Sequence, residues 1–166
     1  MKKAIQLLLT VMCMGTLTAC TGNDKEVEKN FSENYEISSY GADEKIDNTD
    51  DVKMSLKSIE DLHKATVEIE NNSDKEYRYS ESYFEIEGEE EDKWYQLEQY
   101  SEPSEDNEAD SILKAGETKK IVIDIEKYYG KLPEGHYRII NQFSYFENPK
   151  DWDYDVYNIS CEFDVK

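Results

Sequence analysis

The sequence predicts an all-β domain of two antiparallel sheets packed face to face. Three observations predict it. Apolar residues recur with a period of two through most of residues 52–165, which sets one face of each strand on a core and the other in water. Turn residues punctuate these runs at Asn71-Asn72-Ser73-Asp74, Ala115-Gly116, Leu132-Pro133-Glu134-Gly135 and Asn148-Pro149. Only Glu126–Tyr129, closed by Gly130, reads as a helical turn. Seven or more short strands in a stretch of about 110 residues suit a two-sheet sandwich.

In chain order, the first strand alternates Val52, Met54 and Leu56 with Lys53, Ser55 and Lys57. The second alternates Ala65, Val67 and Ile69 with Thr66, Glu68 and Glu70. Shorter strands are expected at Tyr77–Tyr79, Tyr83–Glu87 and Lys93–Leu97, with Gly88 opening a turn through Glu89-Glu90-Glu91-Asp92. The acidic stretch Ser101–Asp110, with Pro103 inside it, reads as an exposed loop. Ile121, Ile123 and Ile125 mark the next strand. Pro133-Glu134-Gly135 is a turn that allows a positive φ at Gly135, with His136 as a solvated polar residue of the same turn. The longest run, Tyr137-Ile139-Asn141-Phe143-Tyr145, turns Tyr145 inward with Phe143. Ile159, Cys161, Phe163 and Val165 close the chain.

The N-terminus is of another kind. Met1-Lys2-Lys3 is positive, Ala4–Leu17 is apolar apart from Gln6 and small residues, and small residues lead to a cysteine. A charged start, a short apolar segment and a small-residue cleavage site make a secretory signal peptide, too short for a membrane span. Leu17-Thr18-Ala19-Cys20 resembles the bacterial lipobox, and that resemblance implies that Cys20 carries diacylglycerol and heads the mature chain. The expected protein is thus a bacterial lipoprotein anchored by lipid to the outer side of the cell membrane. The expected organisation is a signal peptide at 1–19, an acidic flexible tether at 20–50 and the sandwich domain at 51–166. Residues 31–46, where Phe31, Tyr35, Ile37, Tyr40 and Ile46 are scattered, either belong to that tether or add an extended edge segment to the domain.

Charge narrows the partners. Nineteen Lys and Arg against 39 Asp and Glu give a net charge of -20, and loss of Lys2 and Lys3 with the leader makes the mature chain more negative. Phosphate backbones need basic partners, so nucleic acid is excluded. Acidity also opposes lying flat on anionic lipid. With Cys13 in the leader and Cys20 lipidated, Cys161 is left alone; no intramolecular disulfide forms, and Cys161 reads as a small buried hydrophobe.

No catalytic constellation is visible. His63 and His136 lack metal-ligand spacing, and there is no nucleophile elbow, phosphate loop or dinucleotide fingerprint. The expectation is therefore a non-enzyme without cofactor. Asp151, Asp153, Asp155 and Glu162 occupy positions 1, 3, 5 and 12 of a calcium loop. Val156 stands where that loop needs glycine, the surrounding pattern is strand, and so acidic a chain produces such matches by chance; a weak divalent-cation site is the sharper alternative. Aromatic residues are abundant, with 13 Tyr, 2 Trp and 5 Phe, and most belong to strand faces. Trp152 and Tyr154, in a loop beside Pro149, are the candidates for an exposed binding face.

Four segments carry a resemblance. They are Glu70–Tyr77, the tryptophan strand Lys93-Trp94-Tyr95-Gln96-Leu97, the turn into a strand at Ile112–Thr118, and Tyr129-Gly130-Lys131-Leu132-Pro133-Glu134-Gly135-His136-Tyr137-Arg138-Ile139. Together they resemble the bacterial immunoglobulin-like (Big) domain family over about residues 52–146. Gly135-His136-Tyr137 resembles the tyrosine corner of such sandwiches, where a tyrosine hydroxyl bonds back to nearby backbone. The resemblance implies an Ig-like antiparallel sandwich without the inter-sheet cystine, and it brings no catalytic residues. The function expected is a protein-interaction or structural module of the cell envelope, with another envelope protein as partner. The alternative is a module binding a divalent cation or cell-wall glycan through acidic and aromatic loops.

Overall fold

The computed structural model describes residues 26–40, 46–60, 64–100, 111–148 and 153–166. Residues 1–19, expected as a signal peptide, and Cys20 lie outside them, as do His63, the Ser101–Asp110 stretch, Asp151 and Trp152. The elements are α1 (Phe31–Asn34), β1 (Glu36–Ile37), β2 (Val52–Glu60), β3 (Lys64–Asn71), β4 (Tyr77–Tyr79), β5 (Glu85–Glu90), β6 (Lys93–Gln96), β7 (Ser111–Leu113), β8 (Thr118–Asp124), α2 (Ile125–Tyr129), β9 (Gly135–Tyr145) and β10 (Asp155–Val165).

They form an all-β sandwich of two antiparallel sheets. The small sheet runs β2-β3-β8. The large sheet is organised on β9: β10 pairs with its whole length, β5 with Tyr137–Ile140 and β4 with Phe143–Tyr145. β6 and β1 extend the β5 branch, and β7 extends the β4 branch. The alternating residues supply the core between the sheets. Ala65, Val67 and Ile69 of β3 face Tyr137, Ile139 and Phe143 of β9 and Ile159, Phe163 and Val165 of β10, all buried. Tyr145 is partly buried against this core. Two rings, Tyr137 and Phe163, stack at 5.4 Å.

The tyrosine corner is present. Tyr137 donates its hydroxyl to the Pro133 carbonyl at 2.6 Å. Gly135, however, has no positive φ; positive-φ glycines are Gly116 and Gly130. Glycine suits this position for space, since a Cβ there would come within 3.3 Å of the Tyr137 ring. His136 is likewise corrected: it lies in β9 and pairs with Asp164. The helical turn stands at Ile125–Tyr129, so Ile125 opens α2 and does not continue the strand. The Asp124 side chain caps it by accepting from the Lys127 amide, and Gly130 ends it at φ 77°.

Gly88 is also corrected. It is a buried strand residue of β5, opposite Tyr95 and Tyr137, and the left-handed turn residues of the β5–β6 hairpin are Glu91 (φ 53°) and Asp92 (φ 59°). The bare Gly88 backbone receives the Phe31 ring; a Cβ there would come within 2.5 Å of it. Phe31 is 4% exposed and meets Tyr137 edge-on at 5.8 Å. This revises the 20–50 tether for its described part. Val27 and Phe31 are core residues, the Val27 amide donates to the Lys131 carbonyl at 3.0 Å, and β1 adds an edge to β6. Farther on, Asp47 binds β10: its amide donates to the Asn158 carbonyl, and its carboxylate accepts from the Ser160 amide at 2.8 Å. Of the two alternatives for residues 31–46, β1 follows the edge-segment one; the sequence left the choice open because the apolar residues there have no sustained period, and Val27 and Phe31 are buried while Ile37 is 61% exposed.

Candidate functional site

Two surfaces carry chemistry, and the first is the end of the β9–β10 hairpin. Its last rung is Tyr145 opposite Asp155. Below that rung, Tyr77 holds Tyr145 and Tyr157 at 5.9 Å each, and donates its hydroxyl to Asp51 at 2.7 Å. Lys75 sits on the same Asp51 carboxylate at 3.0 Å and over the Tyr145 ring at 5.1 Å. These bonds hold the Asp51 carboxyl below its ordinary pKa, the Tyr77 hydroxyl first and Lys75 second. Above the rung, Phe146 and Tyr154 stack at 4.9 Å, and the Arg78 guanidinium lies 4.6 Å from the Phe146 ring. Tyr154 is 50% exposed and Val156 is 37% exposed. Of the two residues expected to form a binding face, the structure thus places Tyr154 on an exposed aromatic stack.

Of the acidic residues of the calcium-loop spacing, the described ones, Asp153, Asp155 and Glu162, are not gathered at this tip. Asp155 begins β10 and Glu162 lies seven residues along the same continuous strand, so roughly 23 Å separates them. Glu162 meets His136 (3.3 Å), and Asp153 and Asp155 are exposed. Among the described residues, no group of three or more His, Cys, Asp or Glu is disposed to hold a metal ion.

The second surface is the outer face of the large sheet, crossed by the segment after β1. There Arg138 and Glu87 form a buried ion pair, with Glu87 0% exposed and Arg138 8% exposed. Arg138 donates from Nε at 2.8 Å and from Nη2 at 2.6 Å, both to Glu87 Oε2. The guanidinium also stacks on Trp94 at 4.3 Å and reaches Ser38 Oγ at 3.4 Å. A cleft of about 490 Å³ opens beside this pair, lined by Ser38, Trp94, Arg138, Ser160 and Glu162 among others. Sequence reasoning missed the pair, because both residues occupy the polar phase of their strands, where a charge reads as solvated.

His136 borders this face, with Nδ1 2.8 Å from Asp164 and Nε2 3.3 Å from Glu162. The Asp164 contact, and then Glu162, raise the His136 pKa above its ordinary 6.5. A base whose pKa rises on folding adds stability below its unfolded pKa and loses it as the pH climbs through the folded value. His136→Gln is therefore expected to lower the urea midpoint at about pH 5 and to have little effect by about pH 8, a comparison that equilibrium unfolding at the two pH values makes directly.

Cys161 does not join any site. It is buried in β10, and burial, with Asp47 and Glu162 adding to it, pushes its thiol up to about 12. A nucleophilic cysteine needs the opposite shift.

A family model described as a bacterial Ig-like domain matches residues 47–164, well over half of the chain. No curated protein matches the chain. Among solved structures, the ASH/PapD-like domain of human CEP192 (PapD-like domain 7) is similar at 10% identity with a TM-score of 0.35, covering 70% of this chain and 85% of that one. At that score the likeness adds nothing further about this chain.

Proposed function

Because the chain belongs to the bacterial Ig-like domain family, we propose that it is a non-enzymatic interaction module of the cell envelope, tethered by lipid on Cys20 and presenting the β9–β10 tip to another envelope protein. The observation that carries this reading is the Phe146–Tyr154 stack. Tyr154 leaves half its surface in water although burial of an aromatic ring is favourable, and Arg78 braces the ring beneath it. Exposed Tyr with a neighbouring Arg is the composition of interface anchors. The lipid part rests on Leu17-Thr18-Ala19-Cys20. A doubly acylated cysteine holds a protein at a membrane where a single chain binds only marginally.

The test separates the two parts. Cys20→Ala is expected to release the protein from the membrane fraction; undiminished retention would reject the anchor. Phe146→Ala with Tyr154→Ala is expected to leave the fold intact by circular dichroism and to lower affinity for the envelope protein that co-purifies with the wild type by about a hundredfold, the effect of losing one interface anchor. Unchanged affinity would remove the tip from the interface.

A further inference from the structure

The small sheet ends on β8, which among the described residues has no strand on its outer side. Strand β8 pairs with β3 through seven consecutive rungs, from Glu70–Thr118 to Lys64–Asp124, without a bulge. On its other side, among the described residues, no strand pairs with it. The remaining edges are blunted. β1 has two residues and β7 three. β2 shifts register between Leu56 and Ser58. The outer side of β10 takes Asp47 on its Asn158 carbonyl and Ser160 amide. A long, regular edge is a template for another strand unless its side chains forbid pairing.

The side chains of β8 favour one occupant in one register. On the outer face stand Lys120, Val122 and Asp124, with Val122 63% exposed. Lys119 is turned away, onto Glu81 at 2.6 Å and the Tyr79 ring. Place a second β8 antiparallel about Val122. The two exposed valines then meet at the axis, and each Lys120 stands opposite the other copy's Asp124. The row through Asp124 becomes Glu60–Lys64–Asp124 in one copy, followed by Lys120–Glu68 in the other, because those residues are already in register within each sheet. Charge alternates in sign along this row. Opposite charges facing across strands stabilise pairing, and like charges oppose it.

We propose that β8 is a self-association edge, through which two copies of this chain join their small sheets into one six-stranded sheet about a two-fold axis at Val122. The contact is isologous, so it closes at two and does not propagate. A strand edge buries less surface than a standard interface, which makes the dimer weak and concentration-dependent.

Sedimentation equilibrium on the full chain in mild detergent tests this. The wild type is expected to dimerise reversibly. Lys120→Glu alone sets acids opposite acids, and Asp124→Lys alone sets lysines opposite lysines; each is expected to weaken self-association by about tenfold or more. An equimolar mixture of the two variants restores both pairs. In the mixed dimer the two substituted positions face each other as acid on base, and the native Asp124 of one chain faces the native Lys120 of the other. The mixture is therefore expected to dimerise like the wild type. Because Asp124→Lys also loses the α2 cap, the mixture is the decisive arm: folding damage cannot restore association. A wild type that stays monomeric into the millimolar range overturns the proposal. So do single variants that associate as tightly as the wild type, or a mixture that does not associate.

Discussion

Arg138→Met is expected to destabilise the domain by about 3–5 kcal/mol, the cost of leaving one member of a buried ion pair without its partner. Glu87 has no route to water: it is 0% exposed, and its Oε1 has no hydrogen-bond partner even with Arg138 in place. The whole compensation for this carboxylate therefore comes through Oε2, from Nε and Nη2 of one guanidinium. Methionine fills most of the arginine volume and still packs on Trp94, so the loss reports the charge and not a cavity. The partner experiment sharpens this. Glu87→Leu together with Arg138→Met is expected to recover most of the stability, since replacing both members of a buried pair by apolar groups is often neutral or better. Urea unfolding of the two variants measures both quantities. A single variant within about 1 kcal/mol of wild type would mean that water reaches Glu87, against its complete burial.

The same pair marks the boundary of what the sequence discloses. Period two located β2, β3, β8, β9 and the end of β10, because burial of alternate side chains is a local constraint written into each strand. It located Cys161 correctly, between Ile159 and Phe163 on the inner face. The tyrosine corner was legible from Gly135-His136-Tyr137, since the bond is made four residues away. Tyr154 was legible as exposed from its place beside a turn, and the neighbouring Phe146 completed the stack. Glu87 and Arg138 were not legible. Their charges alternate with apolar neighbours, as they would on a solvated face, and only the register of β5 on β9, together with the crossing segment at Ser38, buries them. Gly88 misled for a related reason. A glycine in an acidic run satisfies every local criterion for a turn, whereas the reason for this glycine lies far back in the chain, in the Phe31 ring, with no period to announce it.

Gly88→Ala is accordingly the second substitution with a large expected effect, about 1–3 kcal/mol, from a single methyl group. The added Cβ would stand 2.5 Å from one Phe31 ring atom and 2.7 Å from the next, closer than carbon atoms approach. β5 cannot yield, since it is held between β6 and β9. Phe31 has to move, and with it α1, the amide that Ser32 donates to Glu90 at 2.7 Å, and β1 on the edge of β6. Residues 27–37 would then detach from the sandwich. Phe31→Ala alone removes the same contact from the other side and is expected to cost about 3–5 kcal/mol. The two costs are expected not to add: with the ring gone, the Gly88→Ala methyl meets empty space, and the double variant should be no less stable than Phe31→Ala by more than about 0.5 kcal/mol. Hydrogen exchange at residues 27–37 reads the same event locally, with protection lost in Gly88→Ala while β3 and β9 keep theirs. Additive costs, or retained protection at 27–37, would show that the ring is not what fastens this segment, and the docked N-terminal segment would then need another anchor, for which Val27 on the Lys131 carbonyl is the remaining buried contact.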